Sequence, residues 1–240
     1  MRSLLLVLLA GAMTVPVVAQ EAGEPEPELL VVESSVDLGP AEAVEVAVLV
    51  GVADVEVEGG TDKLAEARFE VSDSVLVPEF TYEEEEGRGS LELVLATKDL
   101  EEGEGESEWH VWLNAGVLTE LDVQVGVGRC EVELGWMPKL EEAEVSVGAG
   151  QLVVDCSGAW DHSPDVLELE VGVGDCHITV PDNVGVFVAA EAGLGDIEMV
   201  GLNEVEDGWA NELWGKADVN LEIEAAVGIG DLLVEVAVRE

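Results

Sequence analysis

Residues 169–180 read LEVGVGDCHITV. Before its two glycines, Leu169, Val171 and Val173 share one parity; after them, Cys176, Ile178 and Val180 share the other. Apolar residues at period two mark a strand with one buried face. A one-residue slip would turn a straight strand inside out, so the chain must bend at the Gly174-Asp175 step, as at a bulge or corner. The same slip recurs in VAVLVGVADVEVEG (46–59), DVQVGVGRCEVEL (122–134), EVSVGAGQLVVDC (144–156), AAEAGLGDIEMVG (189–201) and EAAVGIGDLLVEV (224–236). Gly128, Gly150, Gly174, Gly195 and Gly230 occupy the bend, where a positive φ costs glycine little. Ala53 stands there in the first copy, which predicts a different turn.

The first glycines, Gly126, Gly148, Gly172 and Gly193, follow one another at steps of 22, 24 and 21 residues. A motif recurring once per 21–24 residues predicts stacked coils. The fold class is therefore all-β, a single-stranded parallel β-solenoid of β-helix type. Equivalent Val, Leu and Ile residues would form interior ladders about 4.8 Å apart. Two features interrupt the regular coils of 35–240, and an acidic lead precedes them. Residues 60–118 are less regular coils or an insertion, with strand-like runs at 69–71, 80–82, 91–95 and 109–113. Residues 202–220 lengthen the last interval into an extended loop, and 20–34, which include EAGEPEPE at 21–28, are a disordered acidic lead.

Ahead of that lead, Arg2, the apolar run 4–12 and the small residues Val17, Val18 and Ala19 have the order of a signal peptide, predicting removal of 1–19. The run is too short to span a bilayer, later segments are no longer, and no cysteine follows it as a lipoprotein anchor would require. The mature chain is expected in the periplasm, at the cell surface or secreted. Its 54 acidic and 9 basic residues give a net charge of −45. Phosphate backbones and anionic membranes find no cationic face, so no nucleic acid and no membrane insertion are expected. Self-repulsion of this size is relieved by salt, diffuse cations or basic partners.

Few residues have a pattern that carries chemistry. Asp54, Asp175, Asp196 and Asp231 follow the corner, either as a ladder of oxygen ligands for a hard cation or as acceptors for backbone N–H groups at the turn. Arg129 and Gln151 break that ladder, leaving no defined metal site. Cys130, Cys156 and Cys176 have inward parity; Cys130 and Cys176 share a rung two coils apart, about 9 to 10 Å. That is beyond disulfide reach, so buried thiols are expected. His110, His162 and His177 fall in different parts of the repeat, so no triad assembles. Trp136, Trp160, Trp209 and Trp214 lie between strand motifs, where aromatic rings contact sugars or partners, or else cover loops and cap the stack.

The segments GGTDKLAEARFEV (59–71), EWHVWLN (108–114), ELDVQVGVGRCEVEL (120–134), LEVGVGDCHITVP (169–181), GLGDIEMVGL (193–202) and VGIGDLLVEV (227–236) together resemble the toast-rack domain of bacterial cell-envelope and adhesin-like proteins. The resemblance covers about 36–236. It implies a parallel β-solenoid in an envelope or extracellular setting and brings no catalytic residue. The expected function is an exported structural or interaction module, without catalysis or cofactor, for an unknown envelope protein or glycan. A carbohydrate-binding or polysaccharide-processing β-helix and a cation-binding acidic surface protein are the alternatives.

Overall fold

The computed structural model describes residues 30–72, 78–95 and 107–237. The expected signal peptide and most of the acidic lead lie outside them, while residues 30–34 of that lead form a strand. The chain builds β1 (Leu30–Val36), β2 (Ala43–Val52), β3 (Asp54–Gly59), β4 (Ala65–Val71), β5 (Glu79–Glu85), β6 (Arg88–Leu95) and β7 (Ser107–Leu113). Three long strands follow: β8 (Leu118–Glu133), β9 (Leu140–Asp155) and β10 (Leu167–Val180). Next come β11 (Gly185–Leu194), β12 (Ile197–Val200), β13 (Asn203–Val205), β14 (Gly208–Ala210), β15 (Asn220–Ile229) and β16 (Leu232–Val236).

Each Gly-x-Gly copy forms a bent strand, or arch, whose two arms lie in two walls. The arches are 43–59, 118–133, 140–155, 167–180, 185–200 and 220–236, numbered one to six in chain order. Within each wall the arms pair in parallel and in register, as at Val171↔Val147 in one wall and Ile178↔Val154 in the other. The walls are joined through the long strands into one 16-stranded sheet.

Two features depart from the expected solenoid. The sheet is mixed rather than purely parallel. Strands β6 and β7 run parallel to β2 and β3 and extend the two walls, and the insertion read at 60–118 supplies them together with β4 and β5. β5 then closes one wall antiparallel to β6; in the other, β4 lies antiparallel to β7 and β1 antiparallel to β4. The second departure is the stacking order. β15 pairs with both β10 and β11, and β16 with both β10 and β12, so the sixth arch lies between the fourth and the fifth. The stretch read as an extended loop contains the hairpin β13–β14, which pairs with β11 at Phe187 and Val188.

Inner faces account for that order. The sixth arch points Leu221, Ile223, Val227, Leu232 and Val234 inward, all buried. At the same rungs the fifth offers Val186 and Val188, which are buried, and Ala190, Ala192, Ile197 and Met199, which are only partly buried. Burying the richer apolar face in the interior removes more hydrocarbon from water, so the poorer one takes the end. The core fills the angle between the walls, and Leu134, Met137, Trp160 and Val184 from the return segments join it.

At the corner, Gly128, Gly150, Gly174, Gly195 and Gly230 have φ between +135° and +146°. Ala53 is not among the residues with positive φ, so the first arch turns differently. Space matters as much as φ. A Cβ on Gly150 would meet the carbonyl oxygen of Gly128 well inside 3.0 Å, and one on Gly148 that of Gly126. The corner also corrects the parity reading. Val127, Val173 and Ile229, assigned inward, are about half exposed because the residue between two glycines sits on the outside of the bend.

Charge is confined to the outward rungs. Asp122, Glu144, Glu168 and Glu224 stand in register on four successive arches. Burial, then the charges of Asp122 and Glu168, pushes the Glu144 carboxyl above the usual carboxylate range; burial and Glu58 do the same to Glu133. An acid with a raised folded pKa binds its proton more tightly when folded, so acidification stabilises the fold. At low salt the melting temperature should rise as pH falls from about 7 toward about 5, and at pH 7 it should rise with added salt. Thermal scans showing neither trend would contradict this.

Gly150→Ala should cost about 3 kcal/mol or more in urea unfolding, combining positive-φ strain with a backbone clash. Gly39→Ala, whose Cβ would meet only Glu84 Oε2 at 3.5 Å, should change stability by less than about 1 kcal/mol. Equal costs would refute the steric account of the corner.

Candidate functional site

The outward face of β1, β4, β7 and β3 collects side chains unlike the acidic rungs elsewhere. On β7, alternation buries Ser107, Trp109, Val111 and Leu113 and turns Glu108, His110 and Trp112 outward. Trp109 fixes the strand from below. Its ring meets Phe69 edge-on at 5.0 Å, and its indole N–H donates to Ser107 Oγ at 2.8 Å. Register then sets Trp112 between Glu66 and Glu58, and His110 between Arg68 and Glu56.

The His110 and Trp112 rings stack at 5.8 Å with planes 16° apart. Both are held at their edges: His110 Nδ1 lies 2.8 Å from Glu56 Oε2, and the Trp112 indole N–H donates to Glu58 Oε1. Beside this slab opens a cleft of about 610 Å³ lined by Trp112, Arg68, Lys63, Glu66, Thr61 and Ser35 among others. Glu66 is gripped on both oxygens, by Lys63 Nζ at 2.7 Å and Thr61 Oγ1 at 2.6 Å, and these bonds hold its carboxyl below the usual range. Lys63 also donates to Ser35 Oγ at 3.1 Å. Its pKa is raised, chiefly by the hydrogen bond to Glu66, so it stays an ammonium and cannot serve Ser35 as a general base. Two of the six basic residues in the described segments stand in this cleft. Chemically it offers a ring face, fixed donors and fixed acceptors, the composition of a binding site.

The residues singled out in the sequence are dispersed. Trp160 is buried and donates its indole N–H to Cys156 O at 2.9 Å, which makes it a packing residue. Trp209 sits in the hairpin strand β14, and Trp214 stacks on Phe187 at 5.4 Å beside the fifth arch, at the other end of the stack. Trp136 is 66% exposed, and its backbone abuts Gly59, next to Gly60 on the cleft wall. His177 pairs with Glu235 at 2.9 Å, far in the sheet order from His110. The cysteines are free and buried; Cys130 and Cys176 flank Leu152 in one rung, and burial pushes both thiols up to about 12.

Three of the four corner carboxylates, Asp54, Asp175 and Asp231, are committed to the backbone of the next arch. Asp54 Oδ1 accepts Arg129 N–H at 2.8 Å, Asp175 Oδ1 accepts Asp231 N–H at 3.1 Å, and Asp231 Oδ1 accepts Asp196 N–H at 2.9 Å. They stitch one arch to its neighbour, where the turn reading had each Asp serving its own corner. Among the described residues no three His, Cys, Asp or Glu are grouped to hold a metal ion. Sequence reading missed the Trp112 cleft. The available signal was the parity of EWHVWL, which puts His110 and Trp112 opposite the buried Trp109.

The likeness to known proteins follows the fold. A crystal structure of a candidate cell adhesion protein from Clostridium sporogenes ATCC 15579 is 26% identical and has a TM-score of 0.82, covering 88% of this chain and 100% of that one. Candidate adhesins from Bacteroides fragilis NCTC 9343 and Parabacteroides merdae ATCC 43184 are 9% and 15% identical. They cover 89% and 88% of this chain and 99% and 96% of theirs, at TM-scores of 0.27 and 0.29, too low to bear on the fold. No curated protein matches. Residues 26–179 match Toast_rack_N, the N-terminal domain of toast_rack, DUF2154. On that match, the chain belongs to the toast-rack family.

Proposed function

We propose that this chain is an adhesin-like interaction module, exported to the cell envelope or surface and without catalysis, and that it holds a glycan in the Trp112 cleft. The family match and the description of the Clostridium sporogenes structure as a candidate cell adhesion protein support the adhesin-like part. The signal-peptide pattern of residues 1–19 supports export. Among the described residues no helix is long and apolar enough to cross a membrane.

The single observation that carries the ligand assignment is the slab of Trp112 and His110 set beside hydroxyl, carboxylate and ammonium groups already fixed in place. A sugar ring presents an apolar C–H face and a rim of hydroxyls, which such a surface can meet together. Preorganised partners lower the ordering cost of binding. Trp136, exposed at the edge of the same region, is the second aromatic assigned to ligand contact.

Titration of the chain with a panel of envelope and host glycans, followed by tryptophan fluorescence, should give saturable binding with at least one class. Trp112→Ala should weaken it at least tenfold, about 1.4 kcal/mol, with the melting temperature unchanged, and Trp209→Phe should leave it intact. No binding across the panel, or full binding by Trp112→Ala, would refute the assignment.

A further inference from the structure

The two ends of the stack are finished differently. One is closed by the antiparallel strands β1 and β5. At the other, β14 pairs with the fifth arch only at Phe187 and Val188. Beyond that point Ala189–Leu194 of β11 and the whole of β12 have a neighbour on one side only among the described residues. The inner residues Ala190, Ala192, Ile197 and Met199 are correspondingly only partly buried, and Leu194 is 69% exposed.

The repeat states what would fit there. Along the stack, the carbonyls of each glycine pair fill the space of the Cβ atoms missing from the next pair, and the direction never reverses: Gly172 to Gly228 to Gly193, Gly174 to Gly230 to Gly195. The carbonyls of Gly193 and Gly195 therefore point past the end of the stack. The corner carboxylates run the same way, each accepting an N–H from the following arch, up to Asp196 in the last one. We infer that this end is a docking site for a bent strand of a partner protein, entering parallel to the fifth arch, with glycine at both corner positions. Its N–H after the second glycine would meet Asp196. The outward residues Glu191, Asp196 and Glu198 select basic side chains beside them, and the interface continues the one that joins the six arches. A second copy fits poorly, because it brings a net charge of −45 and sets these carboxylates against their own kind.

The probe is a labelled peptide of residues 224–236 with Ala226→Lys, Asp231→Lys and Leu233→Lys, the three positions that register with Glu191, Asp196 and Glu198. Fluorescence anisotropy at physiological salt with the full chain should show saturable binding. The same peptide with Gly228→Ala and Gly230→Ala should bind at least tenfold more weakly, and so should the parent peptide to a chain carrying Asp196→Lys that melts like the native one. Absence of saturable binding by the soluble peptide up to about 1 mM would overturn the proposal. So would equal affinity of the alanine peptide or of a scrambled peptide of the same composition, since either would reduce the contact to charge.

Discussion

Everything in this structure depends on a carbonyl oxygen occupying the place of a missing Cβ. At both glycine positions of the corner, a neighbouring arch approaches so closely that only hydrogen fits. This close approach locks the register of both walls, since sliding an arch by one residue would drive a side chain into backbone. It also makes the bend that brings two faces of opposite parity onto one core. The residue between the glycines is left outside, and so Val52, Val127, Ala149, Val173, Ile229 and Leu194 form an outer ladder along the corner.

That geometry also explains how the chain folds with a charge of −45. Parallel in-register arches must stack like positions, and the outward positions are acidic, so rails of carboxylate such as Asp122–Glu144–Glu168–Glu224 are unavoidable. The raised pKa values of Glu144 and Glu133 record the cost. Where a carboxylate sits at the corner, the cost is offset by charge-assisted hydrogen bonds from backbone N–H groups of the next arch. At the β1–β4–β7–β3 end cations and stacked aromatic rings interrupt the acidic positions, and the cleft is there.

The all-β class, the corner and the two-face parity were legible because they are local: glycine spacing and period-two alternation report them directly. The stacking order was not. Six arches with nearly one sequence can pair in many orders, and the choice of the sixth over the fifth for the interior follows from the greater apolar area of Leu221, Ile223 and Val227 over Val186, Val188 and Ala192 at the same rungs. The 35-residue interval from Gly193 to Gly228 hinted at a detour without giving its direction. Alternation also reads alike in parallel and antiparallel strands, so the caps β4 and β5 looked like irregular coils, while most of β1 fell within the stretch read as a disordered acidic lead. The cleft escaped because its members, Ser35, Lys63, Arg68 and Trp112, come from segments that only the sheet register brings together.

The stacking order separates this account from a simple sequential repeat, and pairs of cysteines at the exposed outer ladder can measure it. Val173 and Ile229 are in-register neighbours here, whereas Val173 and Leu194 stand two arches apart with Ile229 between them. Adjacent strands lie about 4.8 Å apart, within the span of a disulfide, and twice that distance is beyond it. Under mild oxidation the Val173→Cys/Ile229→Cys chain should crosslink rapidly and the Val173→Cys/Leu194→Cys chain should not. The reverse result would mean that the arches stack in chain order and would contradict the structure described.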